Sequence, residues 1–530
     1  MAIYDIRVGD APAGISGVSW AAPNGSQMAS ASTELPGVLV QHDRLWLDIQ
    51  GWPLRYHLGA NVQGHSIQID VKRIRSELIE TVTLGGQKHT QRFASPGPVD
   101  FIDNNSLDGL QALLDRLHGS PKPGSELKVF VPQAQRFGTL HFDTVHNVHK
   151  TLDHTSRTIR SIHSRLSVGD HSVPLTLWLD PTDGRLLRFA QPQRQVTMTL
   201  RKVVQPAVTS LAETLKQQQR CLTARRLTVP TGSVDLIAEL TLPQQSAGPW
   251  PAVVLVADSD DLNLDGDNAS MTVSNGIYKQ LAYALACHGI AVLRYNPRSP
   301  SGGWWEAATV GTKAKDLASL FSSLVRQPDI DPQRLILAGH AEGGLIALYA
   351  LTGLEPQPVG LLLLETPGKP LAEVLTDQWL APARALGAAA AQIKALRQTS
   401  EQALTAIYDS HGRQLTLNGT LAANPLARLL APQAGLLRSE RSLDPARLAA
   451  AVKVPMLIVQ GGKDLRVSRD NGRLLKQANS SAWQIDFADM TDTLVSSPLP
   501  PLSARFSLPG DRIEPALAPA LARWIQRHTP

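Results

Sequence analysis

The chain has little cysteine. Cys221 and Cys287 are the only two in 530 residues, which excludes a disulfide framework and leaves room for one bond between them. It has no dense block of lysine or arginine. The 51 basic and 46 acidic side chains leave a net charge of +5, spread thinly, so no nucleic-acid partner is expected. No unbroken apolar run reaches the ~18–20 residues of a membrane span. The stretch Met1 to Asp10 lacks a basic segment followed by an apolar one, so no signal peptide is read there and a cytoplasmic location is expected. Charged residues are only 18% against 43% hydrophobic, the balance of a chain that buries cores. At ~100–200 residues per domain, the length predicts two or more.

Residues 1–220 read mostly as strand. Ser66-Ile67-Gln68-Ile69-Asp70-Val71 alternates polar and apolar at period two, as a half-buried strand does. Leu45 to Ile49 and Leu127 to Val131 are similar. Leu175 to Leu179 and Arg185 to Phe189 flank Asp183-Gly184, which supplies the positive φ of a hairpin turn. Between Ser106 and Leu117, Leu107, Leu110, Leu113, Leu114 and Leu117 fall on one helical face. The expectation is a mainly antiparallel β domain, curved, with one helix. Its role is read from fold class alone, as a surface where a protein partner could dock. Polar residues 205–222 mark the boundary.

From 221 to 530 the rhythm changes. Ala252 to Val256, Ile290 to Tyr295, Leu335 to Gly339, Leu361 to Leu364, Met456 to Val459 and Trp483 to Phe487 are short apolar runs. Helical segments such as Gly276 to His288 and Lys313 to Val325 lie between them. This alternation predicts an α/β domain with a mostly parallel sheet covered on both faces. An Ala- and Leu-rich insertion at about 381–450 reads as a helical cap over the strand ends.

Gly339-His340-Ala341-Glu342-Gly343-Gly344 follows a buried strand and opens a helix. That is the setting of a nucleophile elbow, in which small residues permit a sharp turn and the helix N-terminus favours negative charge. Here the chain resembles the α/β-hydrolase superfamily, specifically bacterial carboxylesterase-like serine hydrolases. The family's AGSGP-x-DRDGN-like stretch has its counterpart in Ala257-Asp258-Ser259-Asp260-Asp261 and Asp265-Gly266-Asp267-Asn268. Its RYDKRG-like stretch corresponds to Arg294-Tyr295-Asn296-Pro297-Arg298-Ser299, and its GHSEGG elbow to Gly339–Gly344. Its late PvLivqGxxD pattern corresponds to Pro455 through Asp464. The resemblance spans about 225–525. It implies an α/β-hydrolase domain at 221–530, a cleft for a small apolar or ester-like ligand, and no cofactor or metal.

The departures fall on the groups that such chemistry uses. At the nucleophile position stands Ala341, whose methyl group can neither attack nor give up a proton. The acid position is Asp464. The family's MNHxL-like stretch corresponds to Met490-Thr491-Asp492-Thr493-Leu494, which puts Asp492 at the histidine position. The only histidine after Asp464 is His528. In the oxyanion turn, Asp258 and Asp260 flank Ser259 where the family has glycines, and a carboxylate there opposes an oxyanion. The backbone N–H of Glu342 serves that hole. Trp304, Trp305 and His340 are expected in the pocket wall. These residues suggest a pseudoenzyme or repurposed binding protein. The alternatives are an esterase captured as a serine-to-alanine variant, and a lyase or cyclase using the same pocket.

Two further patterns have bland readings. Asp261 to Asp267 fits the opening of a calcium loop, but Thr272 stands where a bidentate Glu is needed, so a solvated loop is expected. His141, His146, His149, His154, His163 and His171 lack the paired short spacings of a zinc site and read as surface residues.

Overall fold

In the first part of the molecule, alternation along the strands builds a single fifteen-stranded sheet. In the strand His65–Ile74, Ile69 and Val71 are buried while Lys72 faces solvent. The strand Ala2–Val8 lies centrally, paired with Ala11–Ala21 on one side and Val196–Val203 on the other. Antiparallel hairpins continue outward from both. One edge is Gln87–Ala94. The other is the two-residue strand Asp100–Phe101, which pairs in parallel with Glu126–Val131. The helix Asp108–Arg116 buries Leu110, Leu113 and Leu114 among Tyr4, Ile6, Val129 and Leu177. A second cluster brings Leu45, Tyr56 and Val71 against Phe101 and Phe130 from the opposite end of the sheet, so the sheet is curved around its core.

The computed structural model describes residues 1–21, 27–84, 86–95, 97–103, 105–152, 155–204, 211–244, 247–258, 262–267, 275–298, 308–411, 415–504 and 510–529. The chain divides into two units. One is Met1–Pro206 with Leu386–Ala388, and the other is Ala207–Ala385 with Ala389–Pro530.

The second unit is built on an eight-stranded sheet. Its spatial order is Leu222–Pro230, Asp235–Pro243, Ala291–Tyr295, Trp250–Val256, Ile330–His340, Gly360–Leu364, Met456–Gly461 and Trp483–Phe487. The first two junctions are antiparallel and the rest parallel. Val254 and Val256 face a core with Leu317, Phe321, Ile346 and Leu475. Val253 and Leu255 face the other core, with Leu281, Leu285, Leu517 and Leu521. Both faces are therefore covered, which is why these strands are apolar throughout.

Helices from Leu371–Ala385 to Pro445–Ala451 interrupt this alternation between Gly360–Leu364 and Met456–Gly461. The insertion starts before the Ala381 that composition suggested, because Leu371, Leu375 and Trp379 already pack on the insertion's own core of Ala403, Ile407 and Leu430. A Cys221–Cys287 disulfide ties the start of the edge strand to the end of the helix Ile277–Cys287. Among the described residues, no helix is long and apolar enough to cross a membrane.

Candidate functional site

The strand Ile330–His340 is buried along its last six residues and turns directly into the helix Glu342–Ala350. Between them Ala341 adopts φ 50° and ψ −121°, a conformation that costs a non-glycine residue about 1–3 kcal/mol. The turn closes only because its neighbours are small. A Cβ on Gly339 would stand 2.4 Å from the Gly343 carbonyl oxygen, and one on Gly343 would stand 2.3 Å from that of Val256. The Ala341 N–H donates to the Leu364 carbonyl at 2.9 Å, locking the apex to the next strand. A single methyl group therefore sits at the apex, above a helix N-terminus.

His340 lies beneath the apex and is 3% exposed. Expected in the pocket wall, it is held instead in the interior beside the elbow. Its Nε2–H donates to the Asp492 carbonyl at 3.0 Å. The Tyr278 hydroxyl accepts from the Asp258 N–H at 3.1 Å and donates to His340 Nδ1 at 2.9 Å. Burial keeps the imidazole below its ordinary pKa, against the pull of Asp258 and Asp492, so the ring is neutral.

Carboxylates surround this ring. Asp258 is 6% exposed. Its Oδ1 accepts from the backbone N–H of Glu342 at 3.3 Å, and its Oδ2 faces Arg466 Nη1 at 3.5 Å. Asp464 Oδ1 accepts from the N–H groups of Arg466 at 2.6 Å and Val467 at 2.7 Å, while its Oδ2 has no hydrogen-bond partner among the described residues. Burial, and then the charge of Asp492, push its carboxyl well above the usual range. Glu365, 0% exposed at the end of Gly360–Leu364, lies 3.6 Å from His340 Nε2. Burial, Asp464 and Asp492 push its carboxyl well above the usual range too. Beside the elbow, Lys313 Nζ donates to Glu342 Oε1 at 2.6 Å. Burial works against the ammonium, but Glu342 and Glu440 outweigh it and keep it charged. Glu440, from the inserted helix Ala434–Glu440, is fully buried and pushed upward by burial and by Glu342.

The family profile described as serine aminopeptidase, S33, matches residues 271–489, the interval that holds the elbow and Asp464. The second unit is an α/β-hydrolase fold. Esterase EstD of Thermotoga maritima is 24% identical over 299 residues, 55% of this chain; the chain spans 65% of that relative. Among solved structures, Est1E from Butyrivibrio proteoclasticus aligns with TM-score 0.38 and 12% identity over 57% of this chain and 98% of its own. A proline iminopeptidase of Mycobacterium smegmatis aligns with TM-score 0.34 and 14% identity over 57% and 99%.

In this α/β-hydrolase unit Ala341, Glu342, Asp258, Asp464 and Asp492 gather at the strand ends. Ser259, Trp304 and Trp305 lie outside the described residues. His528 is placed elsewhere: its Nδ1 bonds the Trp524 carbonyl at 2.8 Å and its ring packs on Trp483. In the calcium-like loop, Arg294 donates to the Leu264 carbonyl at 3.0 Å and to Asp265; Asp261, Asn268 and Thr272 lie outside the described residues. Of the histidine group, His141 pairs with Glu126 at 2.9 Å, His146 stacks on His163, and His149 bonds Thr158. His154 lies outside the described residues. Among those described, no group of three or more His, Cys, Asp or Glu could hold a metal ion. Sequence reasoning missed Glu365, Tyr278, Arg466, Lys313 and Glu440. Only Glu365 carried a signal, as an acid set directly on a buried apolar run.

Proposed function

We propose that this protein is a non-hydrolytic member of the esterase-like α/β-hydrolases, which uses the cleft at the elbow to bind a small ligand. The observation that carries this reading is the Asp258 carboxylate on the Glu342 N–H. That donor is the one an oxyanion would need. Removing one oxyanion-hole donor costs about 2.7–4 kcal/mol of transition-state stabilisation, and a carboxylate in its place adds repulsion. Ala341 at the apex, whose methyl group is no nucleophile, and Asp464 Oδ2, which has no hydrogen-bond partner among the described residues, support the same reading.

The test is a panel of p-nitrophenyl esters together with fluorophosphonate labelling. The chain as it stands is expected to be silent, and Ala341→Ser alone to remain silent. Loss of one triad member already costs on the order of 10⁴–10⁶ in kcat, so activity should need Asp492→His and Asp258→Gly as well. Ordinary turnover from Ala341→Ser alone would overturn the reading in favour of an esterase lacking only its serine.

A further inference from the structure

Among the described residues, four acids cluster beside the elbow. Asp258, Glu365, Asp464 and Asp492 lie beyond the ends of four strands, Trp250–Val256, Gly360–Leu364, Met456–Gly461 and Trp483–Phe487; Asp258, Glu365 and Asp492 face His340, and Asp464 faces Asp492 and Glu365. Arg466 faces Asp258 at 3.5 Å, and Tyr278 faces the ring from the helix Ile277–Cys287. Lys313, beside the elbow, is engaged by Glu342.

Two of the four acids carry buried oxygens with no hydrogen-bond partner among the described residues. They are Asp464 Oδ2, in a residue 5% exposed, and both oxygens of Glu365, which is 0% exposed. A buried acceptor left unpaired loses its hydration with nothing in return. The Asp464 carboxylate cannot turn to find another donor, because two backbone N–H groups pin its other oxygen. In a Ser-His-Asp site the acid accepts an imidazole N–H. Here the side chain at that position is a second carboxylate, Asp492.

We propose that the cleft binds a protonated primary or secondary amine, whose N–H groups are accepted by Asp464 Oδ2 and the Asp492 carboxylate. This deepens, and rests on, the non-hydrolytic reading of the same cleft. An acceptor lacking a proton donor selects N–H groups over a quaternary ammonium, and the Asp492 carboxylate disfavours anions. Ala341 and Asp492 are half-buried, so the cluster opens to solvent where the ligand would enter. Burial and the charge of Asp492 favour the neutral form of Asp464, whereas a bound ammonium favours its anion, so binding releases protons and affinity rises with pH by at most about tenfold per unit.

The experiment is titration calorimetry with benzylammonium, benzyl alcohol and benzoate, in two buffers of different ionisation enthalpy. Saturable binding is expected for benzylammonium alone, with proton release to the buffer. Asp492→Asn should weaken it by about tenfold or more, and Asp464→Asn further. Asp492 is half-exposed, so its variant keeps the test alive if Asp464→Asn does not fold. The proposal is overturned if benzylammonium gives no saturable heat, if benzyl alcohol binds equally well, or if Asp492→Asn binds unchanged. Ester turnover by the unaltered chain would instead sink the non-hydrolytic reading. Silence toward esters together with no benzylammonium binding sinks only the amine.

Discussion

Reducing the Cys221–Cys287 bond should destabilise the α/β-hydrolase unit without changing its folded structure. The two residues are 66 apart in sequence. Closing a loop of that length removes about 15 cal/mol/K of entropy from the unfolded chain, or about 4 kcal/mol at 25 °C. The native side of the bond is rigid. Cys221 is 9% exposed beside the first strand, and Cys287 ends a helix packed on Leu517 and Leu521, so little order is lost when the bond opens. The unit has about 320 residues. At about 2.1 cal/mol/K per residue its unfolding entropy near 60 °C is about 0.7 kcal/mol/K, and the transition should fall by about 6 °C. The assay is a calorimetric melt of the oxidised protein, the reduced protein and the Cys221→Ser/Cys287→Ser double variant, with thiol titration in denaturant. Identical melting of all three, or free thiols in the unreduced protein, would refute the argument. A bond of this kind persists in oxidising compartments, so acid-quench alkylation of cells reports whether it forms in vivo.

Three further substitutions probe buried groups. Ala341→Gly should raise stability by about 1 kcal/mol, since glycine relieves the positive φ at a smaller entropic cost; a drop in denaturation midpoint would contradict the strain. Asp316→Asn leaves the Arg298 guanidinium, 9% exposed, without its anion. It should cost about 3–5 kcal/mol, read by urea unfolding. Glu80 is 1% exposed and neither of its oxygens has a hydrogen-bond partner among the described residues; burial pushes its carboxyl up to about 8. Its folded pKa lies above its unfolded one, so the stability it contributes is full below the ordinary carboxyl pKa. That stability is lost as pH rises through about 8, at about 1.4 kcal/mol per unit. Glu80→Gln should flatten that slope in melts of the first unit, and an unchanged slope would refute it.

Much of this arrangement is legible in the sequence because it rests on local rules. Strand alternation at Ile69 and Val71, and the leucines of Asp108–Arg116, mark one-sided burial wherever the chain ends up. The elbow is legible because few residue types fit a turn in which a Cβ on Gly339 meets backbone at 2.4 Å. What lies beyond reach depends on approach between distant segments. Glu365 is separated from Asp464 by the whole helical insertion, and nothing local tells that their carboxyls share a buried cluster with Asp492. Arg466 is an ordinary loop arginine until Asp258 faces it at 3.5 Å. The composition of the insertion conveys helices but not their start, since Leu371 and Leu375 could equally have served the sheet. The two cysteines left one bond open, and only the packing of the helix end on the edge strand closes it.

Asp258 also has a structural consequence that ties stability to activity. The helix Glu342–Ala350 receives no side-chain cap from Ala341, and an oxyanion hole is by design an N-terminus left without one. Asp258 fills that vacancy from another loop, placing a carboxylate on the first N–H and against the positive end of the helix. Caps and charges of this kind contribute about 0.5–2 kcal/mol. The carboxylate that, on the proposed reading, occupies an oxyanion's donor therefore also stabilises the elbow. Asp258→Gly should lower the stability of the unit by about 1 kcal/mol, and it should do so whether or not Ala341→Ser and Asp492→His are also present, because the cap acts on the helix and not on the apex side chain. A cost that vanishes in the triple variant would mean that Asp258 is coupled to those positions, and the helix-capping account would fail.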